Sequence, residues 1–274
     1  MMSKTQLTTV SILSLLLAGS LAIVSICGAF LPVTYEREVP SLATQGIGQD
    51  LVNLFIVVPL LVILLVFLRK QNRAAMFLLS GTLFYILYSF IIYSLGIHFN
   101  YLFLLYCTIL GLSTYLFIIM IHELMGMDVG SWFEEHTPAR LTGIYLIIVA
   151  ILFYLLWLKE IVPAVIHNRI PESVSDNNLL VNPVHVMDLA IALPGLILAA
   201  VLLMKKRALG FILSLTGLVF IIILAIALAA MMIMLKVKGV SEESSIAGVF
   251  FILALLSSVI LFLFLKKIKG SNIS

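Results

Sequence analysis

Apolar residues run through this chain in long blocks separated by short polar interruptions, with little of the strict alternation that marks half-buried strands. Eight blocks approach the length of about 20 residues that a helix needs to cross a hydrocarbon core roughly 30 Å thick. They fall near 9–31, 50–68, 75–97, 100–122, 141–163, 184–204, 208–235 and 246–265. Lipid offers no partners to backbone polar groups, so such segments must satisfy their own N–H and C=O groups, as a helix does. The pattern predicts an all-α polytopic membrane protein with eight transmembrane helices.

The blocks also repeat. Setting "VVPLLVILLVFLRKQNRAAMFLLSGTLF" from Val57 against "ALPGLILAAVLLMKKRALGFILSLTGLVF" from Ala192 pairs Pro59 with Pro194 and superimposes two basic turns. Upstream, "LPVTYEREVPS" matches "VPAVIHNRIPES". The pattern predicts two four-helix repeats, 1–122 and 141–274, joined by a cytoplasmic linker at 123–140. An even number of spans makes the two copies parallel, with their pseudo-two-fold axis along the membrane normal. In this register Asp50 falls opposite His185, and Asn53 opposite Asp188. Within the linker, Ser131 and Glu134 have capping-box spacing, which predicts a short interfacial helix with Trp132 and Phe133 toward lipid.

Composition narrows the class. The chain is 63% hydrophobic and 11% charged, with a mean hydropathy of +1.23, against roughly 25% charged residues in soluble domains. The net charge of +3 follows topology more than any partner. Lys4, Arg69, Lys70, Arg73, Arg140, Lys205, Lys206, Arg207, Lys266, Lys267 and Lys269 fall on one side. Arg37, Lys159, Arg169, Lys236 and Lys238 fall on the other. The positive-inside rule then places both termini in the cytoplasm, and the basic turns read as topology anchors, with no call for nucleic acid. Cys27 and Cys107 lie inside spans, where thiols behave as small apolar groups.

Candidate chemistry gathers at the opposite ends of the spans. Asp50 and Asn53 open the second block, while His185 and Asp188 open the sixth, each pair three residues apart and so on one helix face. Glu160 lies near the end of the fifth block; its neighbour Lys159 points away from it and snorkels. Tyr85 and Tyr88 share a face of the third block, and Asn100 and Tyr106 open the fourth. The bland reading makes the aspartates caps of their own helices and Tyr85, Tyr88, Tyr101 and Tyr106 interfacial-belt or packing residues. The functional reading joins Asp50, Glu160, His185 and Asp188 in one outward-facing cavity between the repeats. Such a set suits a divalent metal ion, a proton-coupled carrier, or a general acid and base acting on a lipid or small molecule. Pro59 and Pro194 predict mid-span kinks that free a backbone carbonyl. Walker, dinucleotide-binding, zinc-protease and nucleophile-elbow motifs do not occur.

The segments "GQDLVNLFIVVPLL", "FNYLFLLY", "WLKEIVPA" and "NPVHVMDLAIALPG" together resemble a family of uncharacterised prokaryotic multi-span integral membrane proteins, over about Gln45 to Phe211. The resemblance implies a prokaryotic plasma membrane and assigns no activity, cofactor or site residue. The leading expectation is a small-solute or ion transporter, or a ligand-binding membrane module, with an extracytoplasmic polar site between the repeats. An intramembrane enzyme and an accessory membrane subunit are the alternatives.

Overall fold

The structure is a computed structural model describing residues 2–134, 136–241 and 245–269. It is an all-α membrane protein in which, among the described residues, eight helices are long and apolar enough to span a bilayer: α1 (Lys4–Phe30), α2 (Pro40–Arg69), α3 (Arg73–Gly96), α4 (Phe103–Met125), α5 (Ala139–Ile166), α6 (Pro183–Met204), α7 (Ala208–Val237) and α8 (Ile246–Leu265). Local chemistry sets where these helices begin. Ser3 and Gln6 form a reciprocal capping box at α1. Asn72 caps α3 by accepting from the Ala75 N–H at 3.0 Å. Asn182 does the same for α6 through the Val184 N–H, with Pro183 supplying the pre-set φ of a first helical residue.

One boundary differs from the sequence expectation. Helix α2 starts at Pro40, ten residues before the apolar block begins: Pro40 pre-sets the first helical φ, and the added turns pack on α7 despite the two glycines of "SLATQGIGQ". Asp50 therefore lies in the third turn of α2 and does not open it.

Helices α3 and α7 form the centre. The α3 helix runs against α2, α4 and α7, while α7 contacts α2, α3, α6 and α8. Their crossing is close because Gly81 has no side chain: a Cβ there would meet Val219 and lie 2.8 Å from the Thr216 carbonyl oxygen. Gly48 plays the same part where α2 meets α7, against the backbone of Met231. On the periphery, α1 packs along α4. The α5 and α8 helices, by contrast, hardly approach one another beyond a hydrogen bond between Tyr145 and Ser257 (Oη···Oγ, 2.6 Å).

Several local features recur in the register that pairs Pro59 with Pro194. Both spans contain a π-helical segment, Asn53–Val57 and Asp188–Ala192, immediately before the helix that carries the proline. Both end in a turn held by a non-glycine residue with positive φ, Gln71 at 57° and Lys206 at 52°.

The linker corrects an expectation. Ser131 does not cap a helix; its hydroxyl bonds back to the Asp128 carbonyl, and only a single 3-10 turn forms, Val129–Trp132. Trp132 and Phe133 turn inward, buried against Phe77, with Phe133 stacked on Phe211 at 4.6 Å between ring centres. Arg73 covers the Trp132 ring face at 4.9 Å. The aromatic pair plugs the end of the helix bundle, where Phe77, Phe211 and Phe264 surround the Phe133 ring.

Candidate functional site

A cavity of about 350 Å³ lies at the end of the molecule where the α1–α2, α3–α4 and α5–α6 connections gather, within the usual size range of small-molecule sites. Its walls come from both halves: Leu42, Gln45 and Gln49 of α2; Tyr88, Ser89, Ile92 and Tyr93 of α3; Phe153, Leu156 and Trp157 of α5; Val184 and Asp188 of α6; Leu224, Leu228 and Met231 of α7; and Phe250 of α8. Most of this wall is apolar. A narrower apolar crevice beneath it, lined by Phe153, Leu196, Phe220 and Leu253, also has Asp188 at its edge.

Two carboxylates line the wall, Glu38 and Asp188, and Asp188 is the one set within a spanning helix. It is buried, and each of its oxygens accepts one hydrogen bond across helices: Tyr88 Oη donates to Oδ1 at 2.8 Å and Trp157 Nε1 to Oδ2 at 2.7 Å. Its position depends on the π-helical segment that it opens. Pro194 has no N–H, so the carbonyl that it would have engaged is released, and the widened turn carries the Leu193 N–H back to the Asp188 carbonyl. The Leu189 carbonyl, five residues before the proline, accepts instead from Tyr154 Oη at 3.4 Å. The expected kink at Pro194 is thus a π turn, and the polar α5 side chains Tyr154 and Trp157 serve the groups around it.

Asp50 occupies a separate, sealed position behind the wall. It is completely buried and accepts from Tyr35 Oη and, at 3.2 Å, from Tyr93 Oη. Both tyrosines line the cavity, so they stand between it and the carboxylate. Burial, and then the Asp50 charge, push the Tyr35 hydroxyl well above the ordinary phenol value and keep it protonated. Gly28 of α1 closes the other side: a Cβ there would overlap Asp50 and stand 2.8 Å from Tyr35 Oη. Asn53 accepts from Tyr85 Oη at 3.0 Å, while its Nδ2 is buried without a hydrogen-bond partner.

The tyrosines of α3 distribute these contacts by their angular positions. At 3.6 residues per turn, Tyr93 projects about 140° around the helix from Tyr88, so one helix reaches Asp50 on α2 and Asp188 on α6. Neither aspartate caps its own helix, and Tyr85, Tyr88 and Tyr106 are buried packing side chains, while Tyr101 is exposed.

The remaining candidates have other surroundings. His185 is buried, its ring 4.7 Å from that of Trp157, and its Nε2 has no hydrogen-bond partner. Glu160 accepts from the Ser173 N–H at 2.8 Å and thereby holds the short helix Glu172–Ser175. It faces a different recess, shared with Lys159, Arg169 and Glu172. Asn100 ties the α3–α4 connection together, donating to the Thr34 carbonyl and to Tyr106 Oη. Of Asp50, Glu160, His185 and Asp188, only Asp188 lines the cavity. The four do not converge as metal ligands, and among the described residues no three His, Cys, Asp or Glu side chains are grouped to hold a metal ion. The physical reason is that the donors of Tyr35, Tyr93, Tyr88 and Trp157 take up the two aspartates in separate places.

Sequence reasoning passed over Tyr35, Tyr93, Trp157, Gln45 and Gln49. Only Trp157 carried a usable signal, lying one turn before Glu160 on α5; the others look like ordinary interfacial residues until α2 is known to begin at Pro40.

Taken together, the site is an amphipathic chamber with Glu38 and Asp188 in its wall and Asp50 sealed behind it. No family model, curated protein or solved structure matches the chain.

Proposed function

We propose that this chain is a small-solute transporter whose binding site is the cavity between its halves, with Asp188 as the charged contact. The observation that carries this reading is the position of Asp188, in the wall of a cavity of about 350 Å³ built from α2, α3, α5, α6, α7 and α8. A buried carboxylate in a membrane-spanning segment is costly and usually functional. Here two neutral donors orient it, leaving part of its acceptor capacity unused. Asp188 also opens a π turn, an irregularity frequent at functional sites.

The paired π-helical segments and paired positive-φ turns support internal duplication, with α2, α3, α6 and α7 meeting around a pseudo-two-fold axis. The excess of basic residues at the end opposite the cavity supports an extracytoplasmic opening with both termini in the cytoplasm. The lipid bilayer of a prokaryotic plasma membrane is the setting that this arrangement and the family resemblance suggest.

The test is uptake by liposomes carrying the purified protein, measured for neutral, anionic and cationic organic solutes with and without a proton gradient. At least one class enters faster than into empty vesicles, and Asp188→Asn slows it at least tenfold while the protein remains monodisperse. No protein-dependent entry for any class would refute the proposal.

A further inference from the structure

The charge inventory of the cavity specifies what it selects. Among the described residues its lining includes two carboxylates, Glu38 and Asp188, and no lysine, arginine or histidine. Glu38 is already engaged: the His98 backbone N–H donates to one of its oxygens at 2.7 Å, and the His98 ring lies 3.0 Å from the other. Asp188 has only neutral donors. Around it the wall is aromatic and aliphatic, with Tyr88, Trp157, Phe153 and Phe250 among its members.

A carboxylate in such a wall repels anions, which would lose their hydration and meet no positive side chain. Neutral solutes gain from the apolar surface alone. An organic cation gains from both, since ring faces attract positive charge as the carboxylate does. A small, strongly hydrated inorganic cation is a poor match, because the mainly apolar lining cannot replace its water shell.

Resting on the reading of this cavity as the ligand site, we infer that its substrate class is the organic cation with an apolar body, such as a quaternary ammonium or protonated amine, held against Asp188. The cationic centre sits beside the carboxylate and its apolar part lies along Ile92, Leu224 and Leu228.

The experiment uses the full chain in nanodiscs of zwitterionic phosphatidylcholine, reading tryptophan emission as Trp157 responds to a ligand. Three probes of similar size are titrated: benzyltrimethylammonium, neutral N,N-dimethylbenzamide and benzenesulfonate. The cation binds at least tenfold more tightly than the amide, benzenesulfonate binds most weakly, and Asp188→Asn abolishes the preference between cation and amide. Equal affinities, a preference for the anion, or a folded Asp188→Asn protein that keeps the preference would overturn the substrate class while leaving a ligand cavity in place. If none of the three changes the emission, the cavity reading falls together with it. The comparison of probes is made on the unaltered chain, so it decides the matter even where Asp188→Asn does not fold.

Discussion

Asn53 and Asp188 have like surroundings: each opens a π-helical segment, and each accepts a hydrogen bond from a tyrosine of the single helix α3. The two bonds differ in the acceptor, an amide oxygen in one case and a carboxylate in the other. Hydrogen bonds to charged groups contribute about 1.5–3 kcal/mol and those between neutral groups about 0.5–1.5 kcal/mol. Tyr88→Phe should therefore destabilise the protein more than Tyr85→Phe. Reversible unfolding in mixed micelles, followed by circular dichroism, gives both values; equal losses would mean that the Asp188 contact carries no charge.

Gly28 has no freedom to change, because Asp50 occupies the space that its side chain would need. Gly28→Ala should displace Asp50 from Tyr35 and lower the melting temperature sharply, or prevent folding. Gly19, on the same helix, has nothing within 4 Å of the place an added methyl group would take, so Gly19→Ala should leave the melting temperature unchanged or slightly higher. Thermal shift measured on the pair separates a packing effect from a general intolerance of α1.

Restoring an N–H at position 194 removes the cause of the second π turn. Pro194→Ala should let the segment return to α-helical bonding, rotating the residues before it by about 100° relative to those after it. Asp188 then leaves its bonds to Tyr88 and Trp157, so benzyltrimethylammonium binding weakens at least tenfold and thermal stability falls. Undiminished binding would show that the π turn only shapes the helix.

At the opposite end, two neighbouring side chains should give contrasting results. Phe133 is buried among Phe77, Phe211 and Phe264, and Phe133→Ala should cost about 3–5 kcal/mol. Glu134 pairs with Lys267 at 3.0 Å, but the two side chains are 48% and 40% exposed. Glu134→Gln should therefore cost no more than about 1 kcal/mol. Chemical unfolding of the two variants side by side gives the comparison.

The spans are legible in the sequence because a block of about 20 apolar residues has few other stable fates in lipid. The surroundings of Asp50 are not legible: the charge stands out, but the donors that receive it come from a loop residue, Tyr35, and from Tyr93 on α3. Local spacing does not say which of two helix faces a tyrosine will join. Glu160 misleads for the opposite reason. Its position near the end of α5 suggests an inward role, and the following loop claims it as a backbone acceptor.

The sparse contact between α5 and α8 leaves the chamber with Phe153 and Leu156 on one side of a gap and Phe250 and Leu253 on the other. A bilayer around the molecule would set acyl chains against that gap, so the chamber's boundary there is expected to be partly fluid. Its occupancy should then vary with chain length and unsaturation, and a detergent tail competes for the space that a lipid tail fills in the native setting.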